Sequence, residues 1–545
     1  MKKLLLMLAA VGMIFTACEG NGGLDDETND NPTEQPGGDG GNENGDGNGN
    51  QGGSDNPGGD NGNEGGQGTF ADPNNPLNGI TCANNEILYI STTCLPIAIT
   101  KEGFNVRMVS NTYENGIGRF VFDGDVTYVP DEEFKDYKEL EYIKLPKSIT
   151  SIGTCAFQTC SSLTSVTIPN GVTSIGKNAF EDCSNLTRVD ITDLSAWCNI
   201  SFANPYANPL YYAKNLYLNG ELATEITIPD SVTSIGNGTF YNCSSLTSVI
   251  IPDSVTSIES SAFYECSSLA SVTIPNSVAS IGVKAFLGCN SLTSVIIPNS
   301  VISIEDFTFG SCGSLTSVTI PDSVTSIGDF AFLGCSSLIS ITIPDSVASI
   351  GTWAFKKCSS LISIIIPDSV TSIGNGLFSE CSSLTNVTIP KGVTSIGNDA
   401  FSDCNNLTSV NIADLSAWCN ISFANQYANP LHSGASLCLN DELVAELAIP
   451  DSITAIGNFA FYGCSSLISV TIGNSVTSIG YGAFSYCSSL ISVYCKATTP
   501  PSGYSNMFYN NHSTRKIYVP RNSIDAYKSA SGWSIYATRI VGYDF

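Results

Sequence analysis

Cysteine is the residue type in this chain with the widest chemistry, because its thiol can bind a metal, form a disulfide or act as a nucleophile. A zinc site needs ligands clustered as in C-x-x-C, and no such pair occurs in the sequence. We therefore predict that the repeated cysteines form a column of buried thiols that pack as small hydrophobic side chains. Of the 20 cysteines, twelve recur in runs with a step of 23 residues: Cys160 and Cys183, the eight from Cys243 to Cys404, and Cys464 and Cys487.

Two disulfide interpretations follow from the same residue type. Neighbouring repeats would bring aligned cysteines within disulfide range, but equivalent side chains on stacked repeats point in parallel and do not converge. Cys82 and Cys94 lie outside the repeats. In an exported protein they could form a disulfide with each other, and this second pairing remains open.

Other catalytic groups are sparse. The sequence has two histidines, His432 and His512, and it lacks G-x-S-x-G, H-E-x-x-H and P-loop motifs. Carboxylate pairs for glycan hydrolysis could still be assembled by folding from separate repeats. We predict that the protein is not an enzyme and that it uses no cofactor or metal.

The repeated cysteines must be positioned by a repeated structural unit. Prolines recur every 23 residues from Pro229 to Pro390, and the same step separates Pro146 from Pro169. A period of this length is typical of a solenoid in which each unit packs only on its neighbours. In "SLTSVTIP", apolar residues alternate with Ser and Thr as in a half-buried strand, and the proline ends that strand. A turn and an Ala-Phe pair on a short helical or 3₁₀ segment complete the predicted coil.

Comparison of the units within the chain separates constant from variable positions. Leu, Val, Ile, Pro, Phe and Cys hardly change, whereas the pairs flanking Ala-Phe change freely, as in Lys177-Asn178 against Val283-Lys284. The constant set predicts the core, and the variable set predicts a solvent-facing side that is a candidate for partner recognition. Unconstrained drift would produce the same variation. Trp353 occupies one of the variable positions.

The tripeptide Asp-Ser-Val follows the proline of several units, beginning at Asp230. We predict a turn in which Asp and Ser bond to their own backbone. The tripeptide also resembles the short O-glycan attachment sequence of some bacterial exported proteins. Both interpretations remain open.

The whole repeat resembles that of a known family. The pattern L-x-x-V-x-I-P…V-x-x-I-G-x-x-A-F-x-x-C is similar to the BspA-type leucine-rich repeat found in surface lipoproteins of host-associated bacteria. The resemblance covers residues 126–495, with twelve clear 23-residue units and a degenerate first one. It implies a repeat solenoid with short parallel β-strands and short helical or 3₁₀ segments, capped at both ends. Some members of that family are described as adhesins for host matrix and plasma proteins or for other bacteria, so the resemblance implies attachment without naming a ligand.

Two inserts interrupt the repeats near residues 191–227 and 412–448, and they are copies of each other. They contain aromatic residues that the repeats lack, and exposed aromatics would suit protein or glycan binding. The alternative is structural, because each "DLSAWCNISF" segment could supply a tryptophan-centred core for an irregular coil. The candidate binding residues are Trp197, Tyr206, Trp418 and Tyr427, together with Trp353.

The first residues of the chain predict export and a lipid anchor. Lys2 and Lys3 precede an apolar run from Leu4 to Phe15, which is too short to span a bilayer as a helix and is typical of a signal peptide. The segment resembles a bacterial lipoprotein signal, which implies a signal peptide over residues 1–17 and lipidation of Cys18. We predict an exported outer-membrane lipoprotein, displayed on the cell surface and attached to the membrane only through its lipid.

Composition divides the remainder of the chain. Residues 18–70 are acidic and rich in Gly and Asn, which predicts a disordered stalk. An open solenoid must cover its first and last coils. Residues 71–125 therefore predict an amino-terminal β cap, and residues 496–545 predict a carboxy-terminal cap.

Net charge limits the class of partner. The chain carries a net charge of −28, which argues against nucleic acid because phosphate binding depends on clustered Lys and Arg. The predicted function is a lipid-anchored, non-enzymatic adhesin or binding scaffold, with host extracellular or bacterial surface proteins or glycans as partners. The alternative is a structural surface spacer or glycosylated coat component without a specific ligand.

Overall fold

Each repeat forms one coil in which two short parallel strands are followed by a run of turns. The computed structural model describes residues 76–77, 79–99 and 103–545, all within one compact unit, Thr69–Phe545. The predicted signal peptide, the lipidation site Cys18 and the predicted stalk lie outside the described residues. Successive coils pair in register, so that Ser248 lies opposite Ser271 and Ile258 opposite Ile281. The predicted solenoid of short parallel strands is confirmed, and the structure contains little helix.

The first strand of each coil belongs to what we name the first strand column. Its side chains alternate between core and solvent, which explains the alternation of apolar and hydroxyl residues in the sequence. The members are β5 (Leu140–Lys144), β7 (Ser165–Thr167), β9 (Arg188–Ile191), β11 (Leu216–Leu218), β13 (Glu225–Thr227), β15 (Ser248–Ile250), β17 (Ser271–Thr273), β19 (Ser294–Ile296), β21 (Ser317–Thr319), β24 (Ser363–Ile365), β26 (Asn386–Ile389), β28 (Ser409–Ile412), β30 (Ser436–Leu439), β32 (Glu446–Ala448), β34 (Ser469–Ile472), β36 (Ser492–Cys495), β37 (Lys516–Pro520) and β38 (Ile540–Tyr543).

The second strand of each coil belongs to the second strand column. Most of its strands are Ser-Ile pairs whose isoleucine is buried. The members are β4 (Tyr128–Val129), β6 (Ser151–Ile152), β8 (Ser174–Ile175), β10 (Ser201–Phe202), β14 (Ser234–Ile235), β16 (Ser257–Ile258), β18 (Ser280–Ile281), β20 (Ser303–Ile304), β22 (Ser326–Ile327), β23 (Ser349–Ile350), β25 (Ser372–Ile373), β27 (Ser395–Ile396), β29 (Ser422–Phe423), β33 (Ala455–Ile456) and β35 (Ser478–Ile479).

The turn after each proline connects the two columns. Val255 N–H donates to the carbonyl of Pro252 at 3.1 Å, which closes the turn. The sequence predicted that the serine of Asp-Ser-Val would bond to its own backbone. Instead, the Ser254 hydroxyl donates to the carbonyl of Val232 in the preceding coil at 2.9 Å, and Ser323 and later serines repeat this bond. The serine therefore links neighbouring coils.

The Ala-Phe segment is a run of turns, where the sequence predicted a short helical or 3₁₀ piece. Its amides bond to the next coil: Cys155 N–H donates to the carbonyl of Lys177 at 2.9 Å, and Phe157 N–H donates to that of Ala179 at 2.8 Å. An α-helix would use these amides within the segment. Pairing between coils takes the place of the helix, and successive coils are thus hydrogen-bonded on three sides.

One phenylalanine from each coil contributes to the middle of the core. Phe332 and Phe355 stack with ring centroids 5.4 Å apart and planes 2° from parallel, and Phe157 stacks on Phe180 at 5.1 Å. This spacing matches the distance of about 4.8 Å between paired strands. Each stacked pair adds about 0.5–1.5 kcal/mol beyond the burial of its area.

Each insert adds short helices and one antiparallel strand to a coil. The Asp193 carboxylate caps the first helix by accepting from Ser195 N–H at 2.8 Å. The first insert contains α1 (Leu194–Cys198), a 3₁₀ turn at Pro205–Ala207, α2 (Leu210–Ala213) and β12 (Glu221–Leu222), which pairs with β11. The second contains α3 (Leu415–Cys419), 3₁₀ turns at Gln426–Ala428 and Pro430–Ser433, and β31 (Glu442–Leu443), which pairs with β30.

Both ends of the solenoid carry additional structure. Before the first coil, β1 (Glu86–Ser91), β2 (Met108–Glu114) and β3 (Ile117–Phe122) form an antiparallel sheet, and β1 pairs with β5 of the first strand column. After the last coil, α4 (Ile524–Ser529) and 3₁₀ segments at Arg521–Ser523 and Ser534–Arg539 surround β37 and β38. Tyr527 and Trp533 are fully buried there.

Both strand columns are interrupted between the coils that begin at Ser271 and Ser294. β17 does not pair with β19, nor β18 with β20. Ile251 and Ile297 each donate an amide hydrogen bond to the next coil, at 3.3 and 3.1 Å, but the corresponding bond from Ile274 is not formed. A cleft of about 670 Å³ lies here, lined by residues that include Val272, Ile274, Ile296, Pro298 and Thr319.

Candidate functional site

The variable side of the solenoid consists of the two residues before and the two after each Ala-Phe pair. In the coil where Ala179 and Phe180 are fully buried, Lys177 and Asp182 are exposed. Lys177 and Asp182 therefore face solvent in this coil, whereas residues at flanking positions of other coils, such as Leu287 and Leu333, are buried. Two positions on this side of each coil have a left-handed backbone, as at Asn178 and Asp182, with φ of 58° and 59°.

A first aromatic cluster joins the first insert to the two coils after it. Tyr206 and Tyr241 both lie against Tyr211, with ring centroids at 4.7 and 5.6 Å, and Tyr241 stacks on Tyr264 at 4.4 Å. Tyr212 completes the cluster at 4.9 Å from Tyr211. All five rings are half-buried. Burial, together with the nearby Glu265 carboxylate, raises the pKa of Tyr264 to about 12, so this phenol is neutral at physiological pH.

A second cluster occupies aligned left-handed positions in three consecutive coils. Phe307, Phe330 and Trp353 have φ of 58°, 58° and 54°. Their rings stack with centroids 4.5 and 5.0 Å apart. A left-handed backbone costs a residue with a Cβ about 1–2 kcal/mol, and Gly376 takes the aligned position in the next coil. Bulky rings thus occupy positions that glycine would fill without strain.

A third cluster lies on the last coils, and we name it the C-terminal tyrosine cluster. Six rings form a series in which each ring contacts the next. The distances between the centroids of consecutive rings are 5.9, 5.5, 6.0, 5.2 and 5.8 Å in the order Tyr504, Tyr481, Phe459, Tyr462, Tyr486 and Tyr509. It is the most exposed of the three clusters, since the exposed fractions of Tyr481, Tyr486, Tyr504 and Tyr509 are 49%, 43%, 55% and 58%.

The two insert tryptophans belong to the core. Trp197 and Trp418 are each 1% exposed. Their indole N–H groups donate to the carbonyls of Thr239 at 3.1 Å and Ala460 at 2.9 Å, both in the coil after the insert. Because both side chains are buried, neither tryptophan is exposed for contact with a partner. Each one joins its insert to the following coil, as in the alternative of a tryptophan-centred core.

The remaining candidates lie in separate places. Tyr206 belongs to the first cluster and Trp353 to the second. Tyr427 is exposed, packs edge-on against His432 at 5.5 Å and precedes the coils of the third cluster. The structure therefore does not combine these residues into one site.

Sequence reasoning missed the C-terminal tyrosine cluster. Its tyrosines flank Ala-Phe in "NFAFYGC" and "YGAFSYC", and the last two lie in "YSNMFYN". The signal was present, because these are variable positions at which the last coils hold aromatic residues. The aromatic residues predicted from the sequence as binding candidates lie instead in the inserts and at Trp353.

Cys82 and Cys94, considered above as a disulfide pair, are both free thiols. Strand β1 lies within the eleven residues that separate them. The structure therefore shows no bond between the two thiols.

The aligned cysteines are buried, and their thiols make a hydrogen bond that the sequence did not predict. Cys335 Sγ donates to the carbonyl of Phe309 in the preceding coil at 3.2 Å, and Cys160 donates to Phe134 at 2.9 Å. Burial raises the pKa of Cys335 to about 12. Among the residues that the structure describes, no group of three or more His, Cys, Asp or Glu is arranged to hold a metal ion.

Comparison with known proteins places this geometry in a family. A family profile described as the BspA type leucine-rich repeat region matches residues 112–217, 211–325, 302–429 and 435–532. The chain belongs to the BspA-type leucine-rich repeat family. Proteins of this family are typically exposed on the bacterial surface, and the match indicates no enzyme family. No curated protein matches the chain.

Solved structures of bacterial leucine-rich repeat proteins are similar to this BspA-type chain. A leucine-rich repeat protein from Bacteroides ovatus is 23% identical, with 82% of this chain and 100% of that chain covered and a TM-score of 0.45. A leucine rich cell surface protein from Faecalibacterium prausnitzii is 28% identical, with coverages of 60% and 98% and a TM-score of 0.38. The T. pallidum leucine rich repeat protein is 30% identical, with coverages of 34% and 83% and a TM-score of 0.28.

The described part of this BspA-type chain has little helix. Over residues 76–77, 79–99 and 103–545, no helix has the length and apolar character needed to cross a membrane.

Proposed function

We propose that this protein is a lipid-anchored binding scaffold of the cell surface, an adhesin that contacts host matrix proteins, glycans or other cells through its variable side. The proposal rests on one observation: three aromatic clusters lie at or beside the variable positions, although the residue types at these positions change from coil to coil. Tyrosine and tryptophan dominate the binding energy of many interfaces. A solenoid also presents such residues along an extended surface.

The aromatic residues of the second cluster give separate support. Backbone strain costs stability, and strained residues concentrate at functional sites. Phe307, Phe330 and Trp353 all hold left-handed backbones, and Trp353 is the partly exposed member of the three. Because glycine would relieve the strain at Trp353, the retention of its ring is expected where that ring serves binding.

The anchor and the domain layout belong to the same proposal. Lipidation of Cys18 would tether the protein, because each buried methylene contributes about 0.8 kcal/mol and more than one acyl chain gives a stable anchor. Residues 18–70 would act as the stalk. The antiparallel sheet within 71–125 and the elements within 496–545 would act as the caps of the solenoid over 126–495.

The test measures binding of the purified full-length chain to arrays of matrix proteins, mucins, glycans and bacterial cells. One variant exchanges the exposed variable-side residues between coils and keeps every Ala-Phe pair, so that composition and core are unchanged. The control variant replaces three exposed residues of the first strand column with threonine: Ile250, Ile296 and Ile365.

The outcomes separate the candidate functions. Saturable binding that is lost in the exchanged variant and kept in the control supports an adhesin that uses its variable side. Loss of binding in the control variant alone would move the site to the first strand column. If the chain binds none of the arrayed ligands, the spacer or coat component becomes the better explanation.

A further inference from the structure

The C-terminal tyrosine cluster differs from the other two clusters in its accessibility. Its six rings form a continuous series across the last coils, and four of its tyrosines are exposed by 43–58%. In the second cluster, by contrast, Phe307 and Phe330 are each only 7% exposed. A partner could contact several ring faces of the C-terminal cluster without any rearrangement of the coils.

Backbone conformation holds two rings of this cluster in place. Phe459 and Tyr486 have φ of 59° and 60°, in the left-handed region that residues with a Cβ rarely adopt. Tyr486 N–H donates to the carbonyl of Tyr509 at 2.8 Å, which ties two exposed tyrosines of the cluster to each other through their backbones. The rings are therefore positioned by the coil ladder before any partner arrives, which lowers the entropic cost of binding.

The surroundings of the cluster are almost free of charge. Between Asp451 and Arg515 the sequence contains one Lys, one His and no Asp, Glu or Arg. The lysine, Lys496, directly follows β36, in the strand region of its coil. Earlier coils place charges beside Ala-Phe, as at Lys356 and Glu380. The region of the C-terminal cluster instead offers tyrosine rings and hydroxyls beside uncharged side chains such as the exposed Asn510.

We propose that the C-terminal tyrosine cluster is a binding site for a neutral glycan. This inference rests on the proposed function and names the partner class for one part of the variable side. The negative face of an aromatic ring attracts the polarised C–H bonds of a sugar ring. Tyrosine adds rigid contact area with a polar tip, and Asn and Ser supply adaptable hydrogen bonds. Residues 452–514 hold no carboxylate for a basic protein and, for an anionic glycan, no Arg and only one Lys, Lys496.

The experiment applies the full-length chain to an array of neutral mannose, galactose and N-acetylglucosamine oligosaccharides. Sulfated and sialylated glycans and matrix proteins complete the array. The main variant combines Tyr481→Ser, Tyr486→Ser and Tyr509→Ser, all at exposed side chains. The control variant combines Ile296→Ser and Ile365→Ser, which remove side chains that are 70% and 73% exposed on the first strand column. Tyr486→Phe tests the ring without its hydroxyl.

We expect saturable binding to a neutral glycan, weakened about tenfold or more in the triple tyrosine variant and unchanged in the isoleucine control. Tyr486→Phe should retain most of the affinity, because it keeps the ring face. Far-ultraviolet circular dichroism of each variant establishes that the coils remain folded.

Other results would overturn the inference in distinguishable ways. Neutral-glycan binding that survives the triple variant places the glycan site elsewhere and leaves the scaffold function intact. Binding only to anionic glycans or to proteins refutes the neutral-glycan assignment, whichever variant reduces it. Absence of binding to every ligand on the array refutes both this inference and the proposed function.

Discussion

The protonation state of the aligned thiols affects the pH dependence of stability. Burial raises the pKa of Cys335 from 9.0 to about 12 in the folded protein. Burial also raises the pKa of its neighbours Cys289, Cys312 and Cys358. In the unfolded chain these thiols ionise at about pH 8.5–9. Above that pH the unfolded state binds fewer protons than the folded state, so the free energy of unfolding falls as pH rises.

We therefore predict that the urea midpoint of unfolding falls steeply between about pH 9 and about pH 12. Below that range these thiols should contribute little to the pH dependence of the midpoint. Each thiol contributes up to about 1.4 kcal/mol for every pH unit between its two pKa values. Equilibrium unfolding followed by circular dichroism at a series of pH values measures the effect.

Two alanine variants separate this effect from the ionisation of other groups. Cys335→Ala removes one buried thiol and should reduce the alkaline slope of stability. It should also lower stability at neutral pH, because it removes the hydrogen bond to the Phe309 carbonyl and leaves a small cavity. Cys94→Ala, at an exposed position, should leave the slope unchanged. Equal slopes in the parent protein and Cys335→Ala would contradict the prediction.

The sequence predicted that each repeated cysteine is buried, but it did not predict which group its thiol contacts. Its recurrence at one place in every unit indicated burial, because a constant position in a solenoid belongs to the core. The partner could not be predicted, because the Cys335 thiol and the Phe309 carbonyl belong to different coils and only the stacked backbone brings them together. After each insert this partner is missing, and Cys243 and Cys464 contact the hydroxyls of Ser245 and Ser466 instead.

The interrupted strand columns distinguish one coil boundary from its neighbours. Where β17 faces β19 and β18 faces β20, neither strand column pairs. The third side stays intact: Phe286 N–H donates to the carbonyl of Thr308 at 2.9 Å, and Phe286 stacks on Phe309 at 5.6 Å. This boundary therefore has fewer backbone hydrogen bonds than one at which all three sides are paired, and local opening is easiest where such bonds are fewest.

We predict that amide hydrogens at this boundary exchange faster than those one coil away. Hydrogen exchange followed by mass spectrometry should show earlier deuterium uptake in peptides that cover Val272–Ile274 than in peptides that cover Val249–Ile251. The two segments "SVTIP" and "SVIIP" occupy the same place in their coils, so intrinsic exchange rates are closely matched. Indistinguishable uptake in the two peptides would mean that the boundary is as stable as its neighbours.

Element by element, the repeat pattern predicted the strands better than the segments between them. Alternating apolar residues and a terminal proline predicted β15 and β17 because both depend on local pattern. The Ala-Phe segment was predicted as a short helical or 3₁₀ segment, yet its amides pair with the next coil, as from Phe157 to Ala179. That outcome depends on the stacking distance between coils. The break between β17 and β19 gave no pattern signal, because "SVTIP" and "SVIIP" also occur in paired coils.

At the scale of the whole solenoid, stability is expected to be nearly a sum over coils. Each coil contacts only its two neighbours through strands, turn ladder, phenylalanine stack and thiol bond, so a solenoid behaves as a one-dimensional array. Removal of one coil should then shorten the array without disturbing distant parts. The regular step of 23 residues makes a clean removal available, because residues 323–345 begin after one Pro-Asp and end with the next.

We predict that deletion of residues 323–345 leaves a folded protein whose urea midpoint stays close to that of the parent and whose m-value falls slightly with the smaller buried surface. In the shortened chain Phe355 would stack on Phe309, and the Cys358 thiol would take the Phe309 carbonyl that Cys335 now uses. The C-terminal tyrosine cluster lies several coils away, so ligand binding at that cluster should be unchanged.

A deletion of half a period supplies the matched control. Loss of residues 323–334 places the second half of one coil directly after the first half of another, so its apolar side chains no longer meet the core in register. That variant should lose the cooperative unfolding transition around the junction, although it removes fewer residues than the whole-coil deletion. If both deletions unfold the protein alike, coil stability depends on more distant contacts, and the nearest-neighbour description is wrong. If both are tolerated alike, the 23-residue register does not determine the fold.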